Sequence, residues 1–426
     1  MWLKSNYSDA PDEQAEEDAN PRSSRRHALE IMATAALAAA TSGCYEPAET
    51  RAAKGPFVQV KDAGFIRDGS PWRFAGTNCY SLHESSHEVI DGILEDAKSM
   101  GLAVIRSWAF SDGAGRPAAL HRAPYNYPDQ AYDPLDYTIY KAGQLGLKLV
   151  LPLVNNWPDY GGMQQYVSWF LGLSDDTYAD SVHHDRFYTD PAIRACFLAY
   201  VDQLIRRTNR YSGKRYKDDP TIMTWELANE PRNRSDKTGR GILDWADEVS
   251  SHIKGVAAHQ LVAIGDEGLG LNRNGNNEDP YSANEGNSWL TLSSLAAVDY
   301  ATVHLYPQAW KQTRSSGIDP VRWGSEWITR HAVEARKMAK PVVLEEFGLH
   351  IDAVDGIPSA RSRDRAYEAW LSQAEQTGFA GTQFWMLTGL KDDGVSYLNQ
   401  DGYEVVYPSP TASIIANHAR NMTINL

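Results

Sequence analysis

From Phe57 onward, short apolar runs alternate with amphipathic stretches. The runs Arg73–Asn78, Ala103–Trp108, Lys148–Val154, Ile222–Asn229, Leu261–Gly265, Tyr300–His304, Pro341–Glu346 and Gly381–Trp385 are short and apolar with β-branched content, as strands buried on both faces are. Apolar positions at helical spacing predict helices over His87–Met100, Leu135–Leu145, Pro191–Tyr211, Ile242–His259, Arg322–Met338, Ser362–Gln376 and Thr411–Asn421. Strand–helix alternation implies a parallel sheet. Eight such repeats over 57–426 predict an α/β fold, a closed (β/α)8 TIM barrel in a single domain. The connections Asn155–Asp190 and Gly265–Leu295, after the third and fifth strands, are long. Loops that follow the strands build the functional face of a barrel, so chain length collects where chemistry is expected.

Composition narrows the chemistry. The 426 residues carry a net charge of −14, which argues against nucleic acid as a partner, because phosphate is met by Lys and Arg. No G-x-G-x-x-G follows the first strand, which weighs against a dinucleotide fold. Three cysteines are too few for a disulfide framework, and Cys79 and Cys196 are expected as buried free thiols. Trp (13) and Tyr (22) far outnumber Phe (10). Flat rings with polar tips suit sugars, and equally suit an ordinary core and rim.

The first fifty residues do not read as fold. Residues 1–22 are polar, and Ser23-Ser24-Arg25-Arg26 then precedes an Ala-rich apolar run that ends Thr41-Ser42-Gly43-Cys44. A basic start, a short apolar segment and a small-residue boundary make 1–44 an export signal of twin-arginine type. Thr-Ser-Gly-Cys is similar to a bacterial lipobox, with Cys44 as the residue to be lipidated. Residues 45–56 read as a tether. The chain is therefore expected to be exported: extracellular, periplasmic, or anchored by lipid at a bacterial surface. Glu30 weakens this reading, and the alternative is an Ala-rich helix without targeting value.

Two carboxylates stand out by position. Glu230 closes Trp225-Glu226-Leu227-Ala228-Asn229-Glu230 before Pro231, and Glu346 closes Val342-Val343-Leu344-Glu345-Glu346 before Phe347-Gly348. Both end a strand, the fourth and the seventh, so they can face each other across the barrel mouth. Such a pair cleaves glycosidic bonds, one as acid and the other as nucleophile or base. Either one alone reads rather as a rim group, solvated or paired with Arg, and only the pair brings the two readings level. Side-chain alternation sends Glu345 and Glu346 to opposite faces, so one of the two is expected in the site. Glu226 shares the face of Glu230 and is read as a buried partner.

These segments resemble glycoside hydrolase family 5, the retaining (β/α)8 enzymes. Asn229-Glu230-Pro231 and Glu346-Phe347-Gly348 match its two signatures. Asn155-Asn156-Trp157-Pro158-Asp159-Tyr160-Gly161-Gly162 and the run from Phe187 through Arg232 resemble endo-β-1,4-mannanases within it. The resemblance spans about Phe57 to Trp385. It implies Glu230 as acid/base, Glu346 as nucleophile, and Asn229 on the sugar 2-hydroxyl. It further implies Arg106 paired with Glu346, Tyr306 bonded to the nucleophile, His304 ordering the acid or the sugar, and Trp385 as the platform under the central sugar. Structural alternatives remain: an ion pair for Arg106, a satisfied rim histidine for His304, barrel core for Trp385. Trp157 and Trp310 are expected to floor distal subsites, with Trp108 and Trp289 as weaker candidates, and Tyr160, Gln165 and Trp169 are read as loop packing. His183-His184-Asp185 reads as a solvated loop, and no metal or cofactor is implied.

Pro158 departs from the mannanase pattern and should stiffen its loop, and the Asn- and Gly-rich Leu269–Ser288 does not match. The implied activity is an endo-mannanase acting on mannan, glucomannan or galactomannan, expected as a monomer. An exo-β-mannosidase, a β-1,4-glucanase and a non-catalytic surface glycan-binding lipoprotein are the competing readings.

Overall fold

A small apolar plug closes one end of the barrel. In the computed structural model, the described residues are 56–172, 182–271, 280–282, 284–351, 359–391, 394–397 and 402–424. The export signal 1–44 and nearly all of the tether 45–56 lie outside them, as does part of Leu269–Ser288. Gly55–Leu426 forms one compact unit.

The plug is a meander that the strand reading did not include. Strands β1 (Gln59–Lys61), β2 (Gly64–Arg67) and β3 (Ser70–Trp72) pair antiparallel. Asp68 and Gly69 turn the second hairpin with positive φ at both positions (54° and 81°), the geometry of a tight hairpin turn. Phe65 and Trp72 enter a buried cluster with Phe74, Val104, Val150, Met223, Tyr300 and Val343. Phe65 meets Tyr300 edge-on at 5.4 Å.

All eight expected barrel strands form: β4 (Phe74–Asn78), β5 (Val104–Arg106), β6 (Lys148–Pro152), β7 (Ile222–Glu226), β8 (Leu261–Ala263), β9 (Ala301–Leu305), β10 (Val342–Phe347) and β11 (Gly381–Phe384). They run parallel in the order β8-β7-β6-β5-β4-β11-β10-β9. The β8/β9 seam carries no strand ladder. It is bridged instead by Asp299 N–H to Val262 O (2.8 Å), Thr302 Oγ1 to Asp266 O (2.8 Å) and His304 N–H to Glu267 O (3.0 Å). The fold is thus the expected (β/α)8 TIM barrel.

Helices His87–Ser99, Asp133–Leu145, Pro191–Arg206, Arg240–Val256, Pro320–Met338, Ala360–Thr377 and Pro410–Ile424 cover the outside. Asp190-Pro191 and Asp319-Pro320 start two of them, each Asp accepting a backbone N–H ahead of a Pro that needs none. The helix expected to run to Tyr211 ends at Arg206, where the chain enters a turn whose N–H groups at Tyr211 and Ser212 go to Asn209 Oδ1. The long loops carry short helices of their own, Gly162–Leu171, Arg186–Thr189 and Trp289–Ser293. Cys79 and Cys196 are buried and free, as expected.

Candidate active site

Alternation along the strands lifts polar groups into the barrel above the apolar plug. Arg106, two residues after Val104, is fully buried and commits five N–H bonds. Nε and Nη2 grip Glu226, Nη1 reaches Asn78 Oδ1 (3.1 Å) and Glu346 Oε1, and Nη2 reaches Asn229 Oδ1 (2.9 Å). Its guanidinium also lies 4.9 Å from the Trp108 ring. Glu226 is the buried partner expected.

Glu230 sits just past β7 with φ 51°, a left-handed conformation uncommon for a side-chain-bearing residue and found where a site demands it. Its N–H bonds Gly265 O at 2.9 Å. Gly265 has φ 82°, and a Cβ there would collide with the Ala228 carbonyl oxygen and the Glu226 carboxylate. The Glu230 carboxyl meets Trp157 Nε1 at 2.6 Å and His304 Nδ1 at 2.8 Å. Burial raises its pKa, against the pull of Arg232, the Trp157 N–H and Arg106.

Glu346 takes Arg106 on Oε1 and the Tyr306 hydroxyl, at 2.8 Å, on Oε2. Burial pushes its carboxyl up to about 8; Arg106 and Tyr306 oppose the rise, and the negative charge of Glu230 adds to it. One oxygen each of Glu230 and Glu346 and a ring nitrogen of His304 lie within 4.8 Å of one another. Strict side-chain alternation does not hold along β10. The β10/β9 register shifts between Leu344 and Glu346, and this bulge lets consecutive residues share the interior. Glu345 and Glu346 are both buried beside Arg106, with Glu345 Oε2 3.8 Å from its Nε.

An aromatic wall completes the site. Trp385, half-buried, stacks on Tyr80 at 5.2 Å and 15°, and Tyr80 stacks on Trp108 at 5.8 Å. Trp157 was expected at a distal subsite. Its bond to Glu230 brings it to the carboxylate pair instead, and the Arg232 guanidinium lies 5.0 Å from its ring. Arg232 is fixed by Glu267 through two 2.7 Å bonds. Trp310, half-buried, packs with Trp323 and Trp327, whereas Trp289 is fully buried with its N–H on Thr302 O (2.7 Å) and serves packing. Tyr160 bonds Glu84 (2.7 Å) and edges His83, and Trp169 edges His121, as loop packing requires. His184, read as solvated, is buried: Nδ1 pairs with Asp185 (2.9 Å) and Nε2 with Asn156 O (2.9 Å), which tie the loop to the segment carrying Trp157. Asn78, Tyr80 and Arg232 were missed. Asn78 and Tyr80 stand at a strand end, the position that singled out the glutamates, whereas Arg232 has no such signal.

Residues 55–403 match the family model described as GH family 5 beta-mannosidase-like. Mannan endo-1,4-beta-mannosidase 1 of Solanum lycopersicum is 34% identical over 387 residues, 86% of this chain and 92% of that protein. The endo-beta-1,4-mannanase structure from Thermotoga petrophila is 38% identical, with TM-score 0.75 over 84% of this chain and 78% of that one. The endo-1,4-beta-mannanase structure from Rhizomucor miehei is 31% identical, with TM-score 0.75 over 86% and 99%. The family model over most of the chain, the sequence identity over this length and the shared fold show that the chain is a glycoside hydrolase and belongs to family 5.

Proposed function

We propose that the chain is a retaining endo-β-1,4-mannanase that hydrolyses internal β-mannosidic bonds of mannan, glucomannan or galactomannan. The observation that carries the reading is the carboxylate pair, with an oxygen of each within 4.8 Å. Retaining pairs stand about 5–5.5 Å apart, whereas inverting pairs need about 6.5–9.5 Å to admit a water. The similarity to mannan-cleaving relatives supports the substrate class.

Two buried carboxyls this close hold one proton between them near neutral pH. Glu346 receives the Arg106 charge and the Tyr306 hydroxyl, both of which favour its anion, so the proton belongs to Glu230. In the first step Glu230 gives that proton to the glycosidic oxygen while Glu346 attacks the anomeric carbon. The bond to the leaving sugar breaks and a glycosyl ester forms on Glu346. In the second step Glu230 takes a proton from water, the water oxygen bonds the anomeric carbon, and Glu346 leaves as carboxylate. Asn229 donates one amide N–H to Asn155 Oδ1 (3.0 Å), and its second is left for the sugar 2-hydroxyl. Trp385 supplies an apolar face for the sugar ring, worth about 1–3 kcal/mol.

The test is a product time course of the full chain on linear mannan, with a cellulose derivative and xylan as controls. A fast viscosity drop with mixed manno-oligosaccharides is expected. Mannose alone at constant viscosity would make the enzyme exo-acting, preferential cleavage of the cellulose derivative would make it a glucanase, and binding without release would make it a glycan-binding protein.

A further inference from the structure

The two-glutamate mechanism leaves one carboxyl without a task. Glu345 is fully buried, and neither of its oxygens accepts a hydrogen bond. The charged and titratable groups facing it come from every side of the barrel. Arg106 of β5 approaches to 3.8 Å, Glu226 of β7 lies within hydrogen-bonding reach, and His304 Nε2 of β9 stands 3.6 Å from Oε2. Tyr300 and its own neighbour Glu346 complete the set. From β4, Asn78 Nδ2 donates to the Glu345 backbone oxygen at 2.9 Å and to neither carboxylate oxygen.

Charge decides which carboxyl carries a proton. Two buried carboxyls in contact do not both ionise. Both oxygens of Glu226 are taken by Arg106 N–H groups, which fixes its charge. The same guanidinium also serves Glu346. A third buried anion would be uncompensated. Glu345 is therefore the neutral member, and burial together with Glu226 drives its pKa far up.

The ring of His304 decides what that proton does. Burial and Arg106 hold His304 neutral, so it has one N–H. Nδ1 faces two acceptors, Glu230 Oε1 at 2.8 Å and Glu346 Oε2 at 3.6 Å. Nε2 has no hydrogen-bond partner. A bare Nε2 needs a donor, and a protonated Glu345 becomes one after moving by about half an ångström.

We propose that Glu345 is a positioning residue: a neutral carboxylic acid whose O–H is given to His304 Nε2, fixing the ring N–H on Nδ1 and aiming it at Glu230. One tautomer then serves the whole cycle, because Nδ1–H can donate to Glu230 both as acid and as carboxylate. The inference rests on Glu230 as the acid/base.

The first test reads the tautomer directly. In the full chain labelled with nitrogen-15 histidine, His304 is assigned by its loss in His304→Asn. A protonated Nδ1 and a bare Nε2 are expected, and an N–H on Nε2 would overturn the proposal. Turnover retained in Glu230→Ala would instead overturn the acid/base reading, so the two failures are distinct. The second test compares the alkaline limb of the kcat profile in Glu345→Gln and Glu345→Leu. Glutamine can donate to Nε2 without charge and should keep the limb in place. Leucine removes the donor, so the ring can turn its lone pair toward a protonated Glu230, and the limb should rise by about one pH unit. Equal rate loss in both variants with no movement of the limb would mean that Glu345 only fills space. If the leucine variant does not fold, the wild-type nitrogen shifts decide alone.

Discussion

Replacing Arg106 with lysine keeps the charge and breaks the geometry. The guanidinium makes five N–H bonds to four residues in one plane. An ammonium has three donors on a point charge and cannot form the fork that holds Glu226. At least two buried acceptors lose their donor. At about 1–3 kcal/mol each, the variant should lose about 2–6 kcal/mol of stability. A domain of ordinary stability has about 5–15 kcal/mol in all, so the variant should fold at low temperature and unfold well before the wild type on heating. The assay is urea unfolding followed by tryptophan fluorescence, reading the midpoint at constant slope. Turnover, measured where the variant is folded, should fall by at least about 10²-fold, because Glu346 loses the partner that favours its anion. A stability loss below about 1 kcal/mol with turnover intact would refute the network: the five bonds would then be geometry without energetic consequence.

Other outcomes follow from the same site. Glu346→Ala should lower turnover by at least about 10³-fold in a variant that still folds, and a near-wild-type rate would remove it as nucleophile. The pH profile should be a bell, since activity needs the singly protonated pair. Burial raises both carboxyl pKa values, so the second proton binds as pH falls, the last one leaves Glu230 as pH rises, and both limbs lie above the ordinary carboxylate range. A flat profile from about pH 4 to 9 would contradict this. If Cys44 is the lipidated residue, Cys44→Ser should release the full chain from the membrane fraction of a bacterial host, and unchanged fractionation would dismiss the lipobox reading.

The barrel strands were legible because a strand buried on both faces needs a continuous apolar run, and little else produces eight of them between helices. The plug strands were not, being only three or four residues long and partly exposed, with Lys61, Arg67 and Ser70 among them. The Asp68-Gly69 turn was the readable signal. The two glutamates were legible as strand ends before a breaker. The entry of Glu345 was not, because period-two alternation assumes a regular ladder and the bulge beside Glu346 breaks it. His184 reads as polar loop because nothing local shows that Asp185 and the Asn156 carbonyl occupy both ring nitrogens.

In the proposed mechanism Glu346 attacks and Glu230 serves twice, which forces net retention at the anomeric carbon. Proton NMR of mannan hydrolysis by the full chain, read before the products mutarotate, tests it in one experiment. The β-anomer should form first and relax slowly toward the equilibrium mixture. An α-anomer formed first would contradict the double displacement and require a water between the two carboxylates.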